Sequence, residues 1–475
     1  MLTNKPCLIL LASLGLSACS INAPLPQAQI AAPASWSQEV THPQWPEQQW
    51  WLGYQSAELE TLLQRARAGN LDLATAASRL QQADAQLRQT GAALLPQLDG
   101  RVSANRSGAD GSDPGSSYAA SLSTSYEVDF WGRNRSLRDS SAANLQASRF
   151  DQVTLAISIE AAVVSTWLQI LENQQRLQLA NDSLANAERV LELVEARYRF
   201  GAADRLQLSQ QRTLVAQLRA GLPSLEQNRL QLRNSLALLL GQTPDAELPQ
   251  GSGLEGSSLE GSGLEKLQIP SIGAGLPSEL LERRPDIRAS EARLLAANAD
   301  LGAARAALYP SIQLTAQLGA QSLALSSLVS NPATSWNLAA GLVQPIFQGG
   351  RLRAQVDLSE ARQEELLIDY RRTLLGAFGE VDTALGAVRQ AEQRYLFLQT
   401  ASELAEEAFR LAEARYRAGS IDLQTLLDTQ RTWYQSQDSL TQQRAAWLIA
   451  TIDLYRALGG GWQDEQGVYT DDPLG

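Results

Sequence analysis

Ala196-Arg197-Tyr198-Arg199-Phe200-Gly201 recurs 218 residues later as Ala414-Arg415-Tyr416-Arg417-Ala418-Gly419, and Asp204 and Asp422 extend the match. Upstream the offset is 214. Leu94-Leu95-Pro96 returns as Leu308-Tyr309-Pro310, and Arg79, Leu80, Ala83 and Leu87 return as Arg293, Leu294, Ala297 and Leu301. Phe130-Trp131-Gly132-Arg133 has its counterpart in Phe347-Gln348-Gly349-Gly350-Arg351. Any fold must therefore be built from two copies of one plan.

Each copy reads helix, strand, strand, very long helix, turn, helix. In the first repeat (57–250), residues 57–91 are helical in composition and Pro96 ends the run. Strands are expected at about 98–106 and 118–131, a long helix at about 137–200 and a return helix at about 204–240. The second repeat (276–458) predicts a first helix, strands at about 311–321 and 336–347, a long helix at about 351–418 and a return helix at about 422–458. The long runs would each span roughly 100 Å. Gly201 and Gly419 mark the turns. The first helix and the return helix together have about as many residues as the long one, so two short helices stacked end to end could match it in length. Residues 251–275, with Leu-Glu at 254, 259 and 264 among Gly and Ser, read as a connector, and 459–475 as a tail.

Apolar spacing in the helices is heptad: Leu374, Phe378, Val381, Leu385 and Val388 in one, and Leu426, Trp433, Leu440, Trp447 and Leu454 in another. On heptads alone the chain is an antiparallel coiled-coil scaffold. The strands argue otherwise. Leu98, Gly100, Val102 and Ala104 alternate with Asp99, Arg101, Ser103 and Asn105. Tyr118, Ala120, Leu122, Tyr126, Val128 and Phe130 alternate with Ala119, Ser121, Ser123, Ser125, Glu127 and Asp129. Ile312, Leu314, Ala316 and Leu318 oppose Gln313, Thr315, Gln317 and Gly319, and Trp336, Leu338, Ala340 and Leu342 share a face. About ten such residues, tilted, cross an outer membrane. A half-exposed sheet packed on the helices gives the same alternation. If the strands span lipid, however, four cannot close a barrel and an open edge is forbidden there. Three chains would supply twelve strands, together with twelve full-length helical columns.

Composition narrows the function. Lys+Arg total 39 against 51 Asp+Glu, a net charge of −12 that repels nucleic-acid phosphates. Two cysteines and one histidine (His42) argue against a disulfide framework or a transition-metal site. No uncharged apolar run of 18 residues follows the N-terminus, which excludes a polytopic helical transporter. Paired catalytic carboxylates, phosphate loops and nucleophile elbows are absent as organised motifs, so no enzyme and no cofactor is expected. Residues 1–18 read as a secretory signal: Lys5 is the positive region, and Cys7-Leu8-Ile9-Leu10-Leu11-Ala12 through Leu14 is too short to span a bilayer. The signal ends in Leu16-Ser17-Ala18-Cys19, either a bacterial lipobox whose Cys19 is acylated or an ordinary small-residue cleavage site. Residues 19–56 would form the lipidated N-terminal segment, and Ser20 after the Cys is consistent with the outer membrane.

The chain resembles the outer-membrane factors of tripartite efflux pumps, the TolC-like channels, and within them the NodT-type lipoproteins. The resemblance rests on Gly275-Leu276-Pro277-Ser278-Glu279-Leu280-Leu281-Glu282-Arg283-Arg284-Pro285-Asp286-Ile287-Arg288, on Ala306 through Ile312, on Gln344-Pro345-Ile346-Phe347-Gln348-Gly349-Gly350-Arg351, on Asp129-Phe130-Trp131-Gly132-Arg133 and on both Arg-Tyr-Arg-x-x-Gly-type tips. It implies a mainly α homotrimer with a small β part. A twelve-stranded transmembrane β-barrel would continue into a long periplasmic α-helical barrel, with a mixed equatorial domain around the helix middles. It implies a passive exit duct in the outer membrane, partnered by a periplasmic adaptor and an inner-membrane pump, commonly of the RND type, for drugs or other toxic small molecules. The outer channel of a type I protein-secretion system is the alternative on the same fold.

The resemblance also implies a periplasmic gate at the Gly tips, pinched at rest by side chains just past the second tip and by polar links between helices. Mapped by distance from Gly419, Tyr416 takes a linking position and Asp428 a pore-facing one, with Asp422 nearby. Gln424 stands where relatives often carry an apolar residue, so a hydrogen-bonded constriction is expected rather than a hydrophobic plug. Around the first tip the candidates are Tyr198, Asp204 and Gln207. Arg197, Gly201, Arg415 and Gly419 would form the adaptor-docking tips. The alternative is that Asp422 and Asp428 are only carboxylates near a helix N-terminus, where the dipole favours them. Mass spectrometry of the mature chain should find Cys19 as an acylated N-terminal residue; an unmodified N-terminus after signal cleavage would refute the lipobox.

Overall fold

The computed structural model describes residues 26, 30–38, 45–47, 49–108, 110–111, 113–245, 263–264, 267–270 and 273–463. Cys19, His42, most of the Gly/Ser connector and the tail beyond 463 lie outside the described residues. The helices are α1 (Ala57–Gly69), α2 (Leu71–Ala92), α3 (Arg133–Arg199), α4 (Arg205–Leu239), α5 (Leu280–Arg283), α6 (Pro285–Ala306), α7 (Leu325–Ser330), α8 (Arg351–Arg417) and α9 (Leu423–Ala457). The strands are β1 (Gln97–Ser107), β2 (Gly115–Val128), β3 (Ser311–Ser322) and β4 (Ala333–Val343). The duplication reaches individual lengths: α3 and α8 have 67 residues each, α4 and α9 have 35, and α2 and α6 have 22.

Composition predicts one helix over 57–91, but the chain has two, separated at Asn70. The break has a physical reason. Asn70 is extended (φ −65°, ψ 126°). Its Oδ1 accepts from the N–H groups of Asp72 (2.9 Å) and Leu73 (3.0 Å), capping α2, while its Nδ2 donates to the Leu239 carbonyl at 2.8 Å. The end of α4 thus abuts the α1–α2 break. The approach is close: a Cβ on Gly241, which sits at φ +68°, would stand 1.9 Å from the Gly69 carbonyl oxygen. The second repeat builds the same joint with other chemistry. Arg284, extended between α5 and α6, donates from Nη1 to the Ala457 carbonyl at the end of α9 (3.0 Å) and pairs with Glu380 (2.8 Å). Leu239 and Ala457 are themselves 218 residues apart. In each repeat an orphan carbonyl at the end of the return helix is satisfied by the residue at the break between the repeat's first two helices.

Two compact units result, and neither is a repeat. Counting only the described residues of each stretch, one draws on Met1–Ile30, Ala77–Asp151 and Asp286–Thr373, and the other on Ala31–Ala76, Gln152–Pro285 and Leu374–Gly475. The first holds a single antiparallel sheet in the order β1-β2-β3-β4. Its register brings Gly100, Leu122, Leu318 and Trp336 into one row, and Leu98, Thr124, Ala316 and Leu338 into another. Directly paired residues point to one side of a sheet, so the apolar sets of all four strands coincide on one face. Asp99, Ser123, Gln317 and Asn337 line up on the other. Trp336 (80% exposed), Leu338 and Val102 are exposed among the described residues. Among the described residues, β1 and β4 each keep one edge without a partner strand. Asp129 caps α3 by accepting from the N–H groups of Asn134 (2.9 Å) and Arg135 (2.8 Å), and Trp131 stacks on Tyr309 (4.7 Å) while donating to the Pro310 carbonyl (2.8 Å). The short α7 between β3 and β4 has no counterpart in the sequence reading.

The second unit buries Trp50, Trp51, Tyr54, Leu59, Leu62 and Leu63 against Val163, Val164, Trp167 and Leu168 of α3 and Leu448, Ile452 and Tyr455 of α9. Trp50 stacks on Tyr455 at 4.4 Å. One 18-residue window of α3 has a mean hydropathy of 1.6, so by length and composition this helix alone among the described residues could cross a membrane. Yet α3 carries Glu160, paired with Arg67 at 2.7 Å, beside the buried core positions. Substituting Asn70→Ala removes both the α2 cap and the Leu239 bond. The expected loss is about 2 kcal/mol, read as a lower denaturant midpoint by circular dichroism in detergent; a change under about 0.5 kcal/mol would deny the joint its role.

Candidate functional site

The two tips where a long helix turns back are built by the same local chemistry. After α3, Gly201 takes φ +74°, a conformation open to glycine at no steric cost. The Ala202 N–H then reaches the Arg197 carbonyl (2.8 Å), and the Gly201 N–H the Tyr198 carbonyl (3.1 Å). After α8, Gly419 takes φ +75°, Ser420 N–H reaches Arg415 O (2.9 Å) and Gly419 N–H reaches Tyr416 O (3.0 Å). Both are Schellman terminations, which leave few orphan carbonyls. The chain then re-enters a helix through an aspartate. Asp204 accepts from the Gln207 N–H (2.8 Å) and Gln207 Oε1 accepts from the Asp204 N–H (3.3 Å), a full capping box. Asp422 accepts from the Thr425 N–H (2.9 Å), and its carboxyl is held below the usual carboxylate range by hydrogen bonds from Thr425. Asp204, Gln207 and Asp422 therefore serve as helix caps.

Four helices meet at the tips around Val190, Val194, Leu208, Phe409, Ala412, Tyr416, Leu423, Leu426 and Leu427. Tyr416 is 2% exposed. Within the chain it links through its ring and its carbonyl. Its hydroxyl is buried and meets no hydrogen-bonding partner among the described residues. Its ring lies under the Arg197 guanidinium, 4.5 Å from the centroid, and its carbonyl accepts from Arg197 Nη2 at 3.1 Å. A cation thus caps the negative end of α8 while sitting on an aromatic face. Beside it is a cavity of about 260 Å³ lined by Asn186, Arg189, Glu413, Tyr416 and Arg417, among others. Tyr198, the duplicate of Tyr416, is 43% exposed, and Arg415, the duplicate of Arg197, is exposed.

Asp428 and Gln424 lie one turn apart on the exposed side of α9. Gln424 Nε2 donates to both Asp428 oxygens at 3.1 Å, while Gln424 Oε1 accepts from Gln210 Nε2 of α4 at 3.4 Å. Gln210 was not singled out by sequence reasoning, although the 218-residue offset makes it the duplicate of Asp428. Two further glutamines inside the bundle had no sequence signal. Gln211 and Gln430 are fully buried; the first donates to Ala187 O (2.7 Å) and the second to the Tyr434 hydroxyl (2.7 Å). Burial pushes Tyr434 up to about 12, so it stays neutral at any physiological pH. Among the described residues, no group of three or more His, Cys, Asp or Glu side chains could hold a metal ion.

Comparison with known proteins agrees with this architecture. The chain matches the outer membrane efflux protein family over residues 62–242 and 276–460, one segment per repeat. It is 42% identical over 465 residues to the pyoverdine export outer membrane protein OpmQ of Pseudomonas putida, covering 95% of this chain and 96% of that one. It is 33% identical over 425 residues to the cation efflux system protein CusC of Escherichia coli, covering 87% and 88%. The solved outer-membrane channel OprN superposes with a TM-score of 0.84 at 28% identity, over 93% of this chain and all of that one. Two matched repeats, a shared fold and near-complete coverage place the chain in the outer membrane efflux protein family.

Proposed function

We propose that three copies of this chain share one twelve-stranded barrel in the outer membrane and continue it as a helical tube across the periplasm. What carries this reading is the sheet. Its four strands put their apolar sets on one face by register, and both outer strands keep an unpaired edge. In lipid such edges must be closed, and β4 of one copy pairing β1 of the next closes them. Cys19, if acylated, adds a lipid anchor at the same membrane. The tube is a passive duct, with no catalytic chemistry of its own. A periplasmic adaptor would dock at the tips around Arg197, Gly201, Arg415 and Gly419, and an inner-membrane pump, RND-type by resemblance, would supply the energy. The relatives named above handle pyoverdine and cations, which supports small solutes over secreted proteins as cargo.

At the mouth, the relay from Gln210 through Gln424 holds Asp428 in place. Three copies of Asp428 would form an anionic ring that selects by charge. The Gln424 amide in this relay favours a wet, hydrogen-bonded constriction.

Two experiments test this reading. Arg placed at Leu122 or Leu314 should block membrane insertion, at a cost of roughly 2–4 kcal/mol mid-bilayer, whereas Arg at Ser123 or Gln313 should be tolerated. Equal damage from both faces would reject the barrel orientation. In single-channel recordings Asp428→Ala should lower cation selectivity and raise resting conductance. Tyr416→Phe should change neither, because the hydroxyl it removes has no partner among the described residues. Unaltered selectivity in Asp428→Ala trimers would leave Asp428 as a carboxylate near a helix end and nothing more.

A further inference from the structure

The Arg197 clamp is written into the sequence twice but assembled once within the chain. Its donor comes from the first repeat and its acceptor from the second: the Arg197 guanidinium lies over the Tyr416 ring and donates to the Tyr416 carbonyl, with the Arg417 carbonyl at 3.5 Å. The duplicate donor, Arg415, is exposed, and its guanidinium has no partner among the described residues. The duplicate acceptor, Tyr198, ends α3 and is 43% exposed against 2% for Tyr416, and among the described residues its carbonyl receives the Gly201 N–H of its own turn. The apolar surroundings follow the same division. Leu193 packs against the tip cluster, while its duplicate Leu411 is 50% exposed.

We infer that Arg415 of one copy clamps Tyr198 of the next, as a second version of the Arg197–Tyr416 contact. The occupant of this face is a second copy of the same chain. The argument is one of repeated local chemistry. A first-repeat tip docks on a second-repeat tip inside the chain, and a second-repeat tip presents the same donor to an identical first-repeat tip outside it. Charge agrees, because the carbonyls that end α3 carry the negative end of its dipole and Arg415 supplies a cation able to stack on the adjacent ring. The contact is head-to-tail, so it must close into a ring or run on as a filament. A trimer closes it, with six clamps alternating within and between chains. Arg197 and Arg415 then do equal work at the mouth, although only one of them shows a partner in a single chain. The inference rests on the trimer proposed above.

Thiol cross-linking in the full-length, membrane-extracted protein separates the two. Chains carrying Tyr198→Cys with Arg415→Cys, treated with a short bis-maleimide that alkylates both thiols, should run as covalent dimers and trimers on a denaturing gel. Chains carrying Arg197→Cys with Tyr416→Cys should remain monomers, because that clamp is internal. Arg415→Ala should also raise the resting single-channel conductance by the same several-fold factor as Arg197→Ala. A trimer by light scattering in which the 198–415 pair gives no interchain product overturns the clamp and leaves the trimer standing. A monomer by light scattering overturns both. Interchain product with an unchanged Arg415→Ala conductance overturns the claim that the two arginines are equivalent.

Discussion

A helix end left with unsatisfied carbonyls cannot be packed against another helix without a partner for them. This chain meets that requirement at four places, and its architecture follows from how it does so. At each joint a side chain reaches the last carbonyls of a return helix: Asn70 to Leu239, and Arg284 to Ala457. At each tip a glycine folds the backbone onto its own carbonyls. Between a joint and a tip the helices have no freedom to slide, since both ends are pinned. The heptad surfaces then pack in a register already set by the ends.

The two repeats meet the same geometric demand with different chemistry. Asn70 is a neutral amide that both caps and donates. Arg284, buried to 7% exposure, brings a charge and needs Glu380 to balance it. At the tips the first return helix enters through a reciprocal Asp204–Gln207 box, and the second through Asp422 with Thr425. Divergence after duplication was thus tolerated wherever a replacement satisfied the same backbone group. The Gln210–Gln424–Asp428 relay diverged further: Asp428 in the second repeat stands where the first carries Gln210, so one repeat carries the charge and the other supplies an amide to the relay that steadies it.

Much of this was legible in the residues. Offsets of 214 and 218 announce the two repeats, alternation announces the strands, and Asp-x-x-Gln at Asp204 and Gln207 is a capping signature that needs no coordinates. The Asn70 break was readable in principle, since Gly69-Asn70 pairs a helix-ending residue with a helix-starting one, but helix-favouring neighbours on both sides masked it. Other features were not legible. Both tips read Ala-Arg-Tyr-Arg, so nothing local says that Tyr416 is buried and Tyr198 exposed; that depends on which repeat each helix end meets. Gln211 and Gln430 lie inside a bundle where composition would place apolar residues, and only their partners explain them. The compact units also cut across the repeats, because the long helices contribute residues to both.

The equality of the helix lengths has a consequence for how such a chain can change over generations. One residue inserted into α3 would turn everything beyond it by about 100° and displace it by about 1.5 Å. Its heptad face would rotate out of contact, and its tip would no longer meet that of α8. A change in reach is viable only when whole heptads enter or leave both long helices, with matching lengths in the shorter helices beside them. The 67-residue span is therefore a ruler shared by both copies of the gene segment. Substitutions can accumulate on its exposed positions, while its graduations can be altered only in concert, so the distance it measures should outlast most of the sequence that sets it.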